Sequence, residues 1–251
     1  MNTFDPEQLE LLYAQDLISV AIETFGPRLA LVTSLQKEGM VVLDIASKIT
    51  KDLRVVTLDT GRLPAETYEM MQRVREHYGL AIEIVFPDTG EVERMTTLHG
   101  PNLMYESVPN RNLCCQVRKV RPLERKMSEF DASLVGLRRS QGKSRENTPK
   151  VTRDSAGKWK ISPLADWSRE EIDQYTALHN VPVHPLYEQH YTSIGCGPCT
   201  RATSPGEDER AGRWWWELDQ AKECGLHFTP DGKVERTLDV LLRDVVAAGA
   251  R

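Results

Sequence analysis

Five cysteines are the residues of this 251-residue chain best suited to chemistry, and they divide as two, two and one. Cys114 and Cys115 are adjacent, Cys196-Gly197-Pro198-Cys199 lies further along, and Cys224 stands alone towards the end. The Gly-Pro turn between Cys196 and Cys199 is compact enough to aim two thiolates at one centre. With the first pair that makes four, which suffices for a zinc ion or for an iron–sulfur cube. Structural zinc usually takes two separated Cys-x-x-Cys knuckles, so adjacent cysteines fit a tetrahedral zinc poorly; four unrelated buried thiols are the remaining reading. Cys224 sits in Lys222-Glu223-Cys224-Gly225-Leu226-His227. A cysteine thiol titrates near about 8.5 unless a cation lowers it, and the thiolate is the attacking species. His227 can supply that cation or a hydrogen bond; the bland alternative is a lone surface or core cysteine.

Charge points to an anion beside the first cysteine pair. The chain is acidic overall, with 32 Lys and Arg against 37 Asp and Glu and a net charge of −5, so bulk attraction to nucleic acid is not indicated. Residues 111–145 nevertheless hold ten basic side chains and three acidic ones. A solvated helix face would explain such a run by itself, but here it contains Cys114 and Cys115. Arg210 and Arg213 are three apart and share a face if that segment is helical. Their planar forks suit phosphate or sulfate oxygens. Trp214-Trp215-Trp216 is too much aromatic surface for one helical core face, so at least one of the three is expected to line a pocket or the cysteine site; plain packing is the alternative.

The elements that must position these groups read as α/β. Residues 7–24 form an amphipathic pattern with Leu9, Leu12, Ile18, Ala21 and Ile22 near helical spacing. Short apolar runs at 29–33, 54–58, 81–86 and 132–136 predict strands. Residues 34–39 read as a polar turn and 40–49 as a helix. Pro64 opens another helix that runs to about Tyr78, and a further one carries Cys114 and Cys115. Alternation of this kind gives a mostly parallel sheet with ligands beyond the carboxyl ends of its strands. Ser34, Asp59-Thr60-Gly61 and Gly136-Leu137-Arg138 fall at such ends. A hairpin is expected over 149–162, a helix from Ser168 to about His179, and irregular chain through the second cysteine pair. The last 25 or so residues read as a mobile tail closed by a short helix over 236–248. No apolar run could cross a bilayer and the N-terminus lacks a secretory pattern. A cytoplasmic location is therefore expected, where clustered cysteines serve metals or catalysis more often than disulfides.

Six segments in order resemble the sulfonucleotide reductases, specifically the bacterial assimilatory adenylyl-sulfate reductases: Thr57-Leu58-Asp59-Thr60-Gly61; Cys114-Cys115-x-x-Arg118-Lys119-Val120-x-Pro122-Leu123; Gly136-Leu137-Arg138-Arg139-Ser140-Gln141; Cys196-Gly197-Pro198-Cys199-Thr200-Arg201; Gly212-Arg213-Trp214-Trp215-Trp216; and Glu223-Cys224-Gly225-Leu226-His227. The resemblance spans about residues 30–227 and uses all five cysteines. It implies an adenine nucleotide alpha-hydrolase-like (PP-loop-type) fold, with residues 1–216 as the nucleotide-binding domain and 217–251 as a segment carrying the catalytic cysteine. It implies a 4Fe–4S cluster on Cys114, Cys115, Cys196 and Cys199, and Cys224 as the nucleophile. It sets Lys119, Arg210 and Arg213 on the phosphosulfate, Leu58 and Gly136 on adenosine, and Ser34, Arg138 and His227 beside them. The implied reaction takes adenosine 5′-phosphosulfate to sulfite and AMP through a cysteine S-sulfonate, with thioredoxin or a glutaredoxin-like protein as reductant. A homo-oligomer is left open. The loop Thr33–Glu38 lacks the glycines of the ATP pyrophosphatases, which argues against ATP cleavage. The rivals are the 3′-phosphorylated substrate with the same chemistry, and a nucleotide- or metal-binding protein without turnover.

Overall fold

In the computed structural model, residues 4–142, 145–154, 156–217 and 232–246 are described. Their centre is the strand β1 (Leu29–Val32), an uninterrupted apolar run, flanked by β2 (Arg54–Leu58) and β4 (Ala132–Val135) in parallel register, with Leu31 opposite both Val55 and Leu134. β3 (Ile82–Val85) adds in parallel outside β2. β6 (Trp159–Ile161) adds in parallel outside β4, and the edge strand β5 (Val151–Arg153) pairs with it antiparallel. The order is β3-β2-β1-β4-β6-β5. The α/β reading holds, and the predicted hairpin is the antiparallel edge.

Strand alternation divides the core between the two faces of the sheet. Leu31 and Val55 pack with α2 (Ala14–Phe25), α3 (Lys37–Ile49), α4 (Ala65–Tyr78) and α8 (Arg169–Leu178) through Leu17, Ile18, Leu43, Met70 and Ile172. Their neighbours Ala30 and Val56 face the other way, with Val85 and Phe130. Leu123 and Met127 of α7 (Arg121–Met127) pack against that group. A third cluster holds Cys114 and Cys115 of α6 (Val108–Cys115), Cys196, Cys199, Trp214, and Met95 of α5 (Thr89–His99). Leu238 and Val245 of the terminal helix α9 (Gly232–Val246) complete it. The closing helix is therefore docked on the cysteine-bearing part of the fold, and Arg94 Nε donates to the Val245 carbonyl at 2.5 Å.

Three element boundaries differ from the sequence pattern. The N-terminal helix is broken into α1 (Pro6–Leu9) and α2 because distant partners take the groups between them. Lys150 Nζ donates to the Leu12 carbonyl at 2.7 Å, and Glu10 accepts from the Lys150 amide and from Arg139. α3 starts at Lys37, three residues before Met40, with Glu38 in its first turn, where a carboxylate suits the positive end of the helix. α5 was not anticipated; Asp88 caps it, accepting from the Glu91 amide at 2.9 Å.

The loop after β1 keeps a glycine-like backbone without a glycine. Leu35 has φ 59°, the left-handed region, and its amide donates to Thr33 Oγ1 at 2.9 Å. Its side chain is fully buried among Leu31, Leu43 and Met40 in the main core. Strain at a non-glycine in this region is about 1–2 kcal/mol, whereas removing a buried leucine side chain costs about 2–5 kcal/mol. Leu35→Gly should therefore lower the urea midpoint despite relieving the strain; an increase would show that the strain outweighs the burial.

His184, between α8 and the second cysteine pair, is buried and shares a 3.0 Å hydrogen bond with Thr67 Oγ1 on α4. Burial disfavours its imidazolium and lowers its pKa from 6.5 to about 4. Between those values the unfolded chain binds more protons than the folded one, so stability falls as pH drops through this window. Chemical denaturation at a series of pH values should show that loss, and His184→Gln should flatten it.

Candidate functional site

The loop leaving β2 gathers the site. Asp59 is buried, and its Oδ1 accepts from the Gly61 amide at 2.7 Å and from Tyr68 Oη at 3.0 Å. This fixes Thr60, whose Oγ1 lies 3.2 Å from Cys196 Sγ and whose carbonyl accepts from Arg118 Nη1 at 2.7 Å. Two residues on, the Arg62 carbonyl accepts from the Gly197 amide at 2.8 Å. A single strand end thus holds the second cysteine pair and the segment after the first.

That first pair closes α6, which Ser107 caps by accepting from the Asn110 amide at 3.2 Å. Between α6 and α7 the chain makes one π-helical turn, Gln116–Val120. The wide turn falls where Pro122 deprives the Arg118 carbonyl of its helical donor. It carries Arg118 and Lys119 around towards the thiols, so Lys119 serves Cys196 across the site as well as standing near its own pair.

Cys114, Cys115, Cys196 and Cys199 are all buried in one cluster, and no disulfide joins them. Burial and the nearby Cys196 push the Cys114 thiol up, opposed by Arg118, Lys119 and Arg62. Burial, with Cys196 beside it, pushes Cys199 up to about 11. At Cys196 burial also acts upwards, but the charge of Lys119, the Thr60 hydroxyl, Arg213 and a hydrogen bond from Lys119 together lower the thiol below its ordinary value. Cys196 is thus a thiol at which the surrounding cations and hydrogen bonds outweigh burial.

Arg213 is buried and lies flush against Gly195, where an added methyl group would strike its guanidinium. Its Nη1 donates to the Ile194 carbonyl at 3.4 Å and its guanidinium lies 4.8 Å from the Trp214 ring centre. The Trp214 amide donates to the Cys199 carbonyl at 3.2 Å, which fastens the arginine–tryptophan segment to the cysteine turn. Beyond the tryptophans, Glu217 receives Arg111 of α6 at 2.7 and 3.2 Å in a buried pair. Of the buried side-chain polar atoms without a hydrogen-bond partner among the described residues, Arg118 Nε, Arg213 Nε and Trp214 Nε1 border this cluster. Buried donors of this kind call for an acceptor. Four thiolates and the sulfides of an iron–sulfur cluster are such acceptors, so the residues present fit that group.

The remaining expected site residues are distributed unevenly. Leu58 and Gly136 stand at the ends of β2 and β4, on either side of β1. Gly136 is a glycine because its Cβ would press on the backbone of Glu38 and Gly39. Ser34 is exposed and accepts from Gln36 Nε2 at 2.7 Å, while Gln36 Oε1 receives the Ile194 amide at 2.7 Å. Arg210 is half-buried in the turn that its amide makes on Asp208 Oδ1. Arg138, expected to stand beside the nucleotide, is fully buried, and its guanidinium bonds to Glu38, Glu209 and Ser140. Cys224 and His227 lie outside the described residues. The contact of Thr60 with Cys196 is what the sequence did not single out, since the two are 136 residues apart.

Residues 28–202 match the phosphoadenosine phosphosulfate reductase domain. The chain belongs to the phosphoadenosine phosphosulfate reductase family. It is 47% identical over 196 residues to adenosine 5′-phosphosulfate reductase of Allochromatium vinosum, covering 78% of this chain and 77% of that protein. It is 43% identical over 224 residues to the enzyme of the same name from Burkholderia cepacia, covering 89% and 87%. Among solved structures, the phosphoadenylyl-sulfate reductase from Candida auris in its phosphate complex superposes with a TM-score of 0.67 at 29% identity, over 78% of this chain and 96% of that one. Yeast FAD synthetase shares the fold alone, with a TM-score of 0.53 at 14% identity over 78% of this chain and 67% of that one. In this reductase family member no described helix is long and apolar enough to cross a membrane.

Proposed function

We propose that this reductase converts adenosine 5′-phosphosulfate to sulfite and AMP, with Cys224 as nucleophile and a thioredoxin-type dithiol protein as electron donor. The observation that carries the reading is the convergence of the four buried cysteines with Lys119 and Arg213 at the carboxyl end of β2. A cation pair at this end of a parallel sheet suits a nucleotide's mixed phosphate–sulfate anhydride. In this reading residues 1–216 bind nucleotide and cluster, and 217–251 bring the nucleophile.

The chemistry then balances as follows. The Cys224 thiolate attacks the sulfur of the substrate; the bond from that sulfur to the bridging oxygen breaks, and AMP leaves with the electron pair. Lys119, Arg210 and Arg213 hold the anhydride and stabilise the charge that grows on the departing phosphate. Cys224 is left as an S-sulfonate. A thiolate of the reductant attacks the Cys224 sulfur, sulfite departs with the bonding electrons, and a mixed disulfide forms. The reductant's second thiol resolves it, so its dithiol supplies the two electrons.

Cys114, Cys115, Cys196 and Cys199 would hold a 4Fe–4S cluster, which when bound supplies fixed charge close to Lys119 and Arg213. Adjacent Cys114 and Cys115 fit a tetrahedral zinc ion poorly, which supports the cluster over zinc. A cytoplasmic setting, which keeps thiols reduced, accords with this use of them.

The test is sulfite and AMP release by anaerobically purified protein supplied with reduced thioredoxin and either nucleotide. Turnover of adenosine 5′-phosphosulfate supports the reading. Turnover restricted to the 3′-phosphorylated nucleotide would replace the substrate and keep the mechanism. Turnover of neither, in protein shown to hold iron and sulfide, would sink it.

A further inference from the structure

Behind the loops at the ends of β1 and β4 lies a ring of charge that the mechanism above does not use. Glu38 accepts from Arg138 Nε and Nη2 at 3.0 and 2.9 Å. Arg138 Nη2 reaches on to Glu209 Oε2 at 3.1 Å, and Glu209 Oε1 accepts from Arg169 Nη1 at 3.2 Å. Arg169 Nε continues to Asp173 Oδ2 at 3.2 Å, and Asp173 Oδ1 receives Lys37 Nζ at 2.6 Å. Lys37 precedes Glu38 in the first turn of α3, so the backbone closes the circuit. Three cations and three carboxylates alternate around it, drawn from the start of α3, the loop after β4, the start of α8 and the segment that holds Arg210. Arg138 and Glu38 are almost wholly buried, with side-chain exposures of 1% and 6%.

Glu209 is the ring's link to that segment. The turn after it is tight: the Arg210 and Ala211 amides both bond to Asp208, and the Arg213 amide bonds to the Arg210 carbonyl. The Glu209 carbonyl is itself held by Thr192 Oγ1 at 2.7 Å. Backbone from 208 to 213 is thus one short rigid piece, and Glu209 is its charged hold on the two loops.

We propose that Glu209 is a positioning residue for nucleotide binding: by bridging Arg138 and Arg169 it sets Arg210 and Arg213 at the height of the β1 and β4 loops. This rests on the reading that these arginines bind a sulfonucleotide. Glu209→Gln keeps the size of the side chain, removes the carboxylate from both arginines and touches neither strand end.

The experiment compares wild type and Glu209→Gln in equilibrium binding of AMP and in steady-state reduction of adenosine 5′-phosphosulfate, with iron content and near-ultraviolet circular dichroism as controls. The Kd for AMP and the KM are expected to rise about tenfold while kcat stays within about twofold. A merely structural role would reduce the folded, iron-loaded fraction and hence kcat, leaving the KM of the remainder at its wild-type value, and that result overturns the proposal. Arg169→Met opens the same ring from α8 and should raise KM about threefold. It decides the matter if Glu209→Gln does not fold, an unchanged KM counting against the ring. If the wild type binds neither nucleotide, the parent reading fails on wild-type data alone, and the role of Glu209 falls with it.

Discussion

Cys224→Ser is expected to abolish sulfite release while leaving iron and sulfide content unchanged. A serine hydroxyl is far less acidic than a thiol and is a poor nucleophile at neutral pH without an adjacent base. A sulfur on the enzyme is also what the reductant must attack, so serine would block the second half-reaction even after a slow first one. Removing a covalent nucleophile generally leaves only positioning and charge stabilisation, a loss of about 10³-fold or more. Two measurements check it. Mass spectrometry of protein mixed with substrate and no reductant should show one SO₃ added to the wild type and none to the variant. Iron analysis should find the two alike, because the four thiols buried together are Cys114, Cys115, Cys196 and Cys199. Sustained turnover by the variant would remove Cys224 from the mechanism.

Lys119→Met should have the next largest effect. Methionine has a similar length, so the loss is of charge and of a donor. Lys119 sits on the π-helical turn, hydrogen-bonds Cys196 and acts on the titration of Cys114, Cys196 and Cys199. A single preorganised donor aimed at developing charge contributes about 10²–10³-fold to rate. The expected result is a fall of that order in kcat/KM with the affinity for AMP reduced far less. The visible absorption of the proposed cluster should shift as well, because a cation beside Cys196 is gone. If kcat/KM falls less than threefold while the spectrum shifts, Lys119 serves the thiols alone.

The strands were readable because parallel strands buried on both faces are plain apolar runs, as Leu29-Ala30-Leu31-Val32 is. α8 was readable from its cap, since Ser168 and Glu171 close a reciprocal capping box. α5 escaped notice because its only well-buried apolar residue is Met95 and Leu98 on the same helix is exposed. At the site, the five cysteines and the excess of positive charge around them were legible as types and spacings. The contact of Thr60 with Cys196 was not, since the two are 136 residues apart and only the end of β2 brings them together. The carboxylate partner of Arg138 was equally hidden, since Glu38 lies 100 residues before it. Leu35 illustrates a second kind, in which the residue type hides the backbone: the loop looks unsuited to a left-handed turn, yet the side chain's burial holds one there.

The docking of α9 bears on kinetics. Glu217 is clamped by Arg111, and α9 begins at Gly232 and inserts Leu238 and Val245 among the cysteines. Cys224 lies seven residues after the first anchor and eight before the second. At about 3.5 Å per residue, covalent geometry alone limits it to roughly 25 Å from either. On the proposed mechanism the nucleophile is thus joined covalently at both ends, through Glu217 and Gly232, to one body. Leashes of this length give effective concentrations of about millimolar at the far site, whatever the enzyme's dilution. Attack on bound substrate is therefore first order in the complex, and the length of the leash, rather than any new contact, would tune its rate.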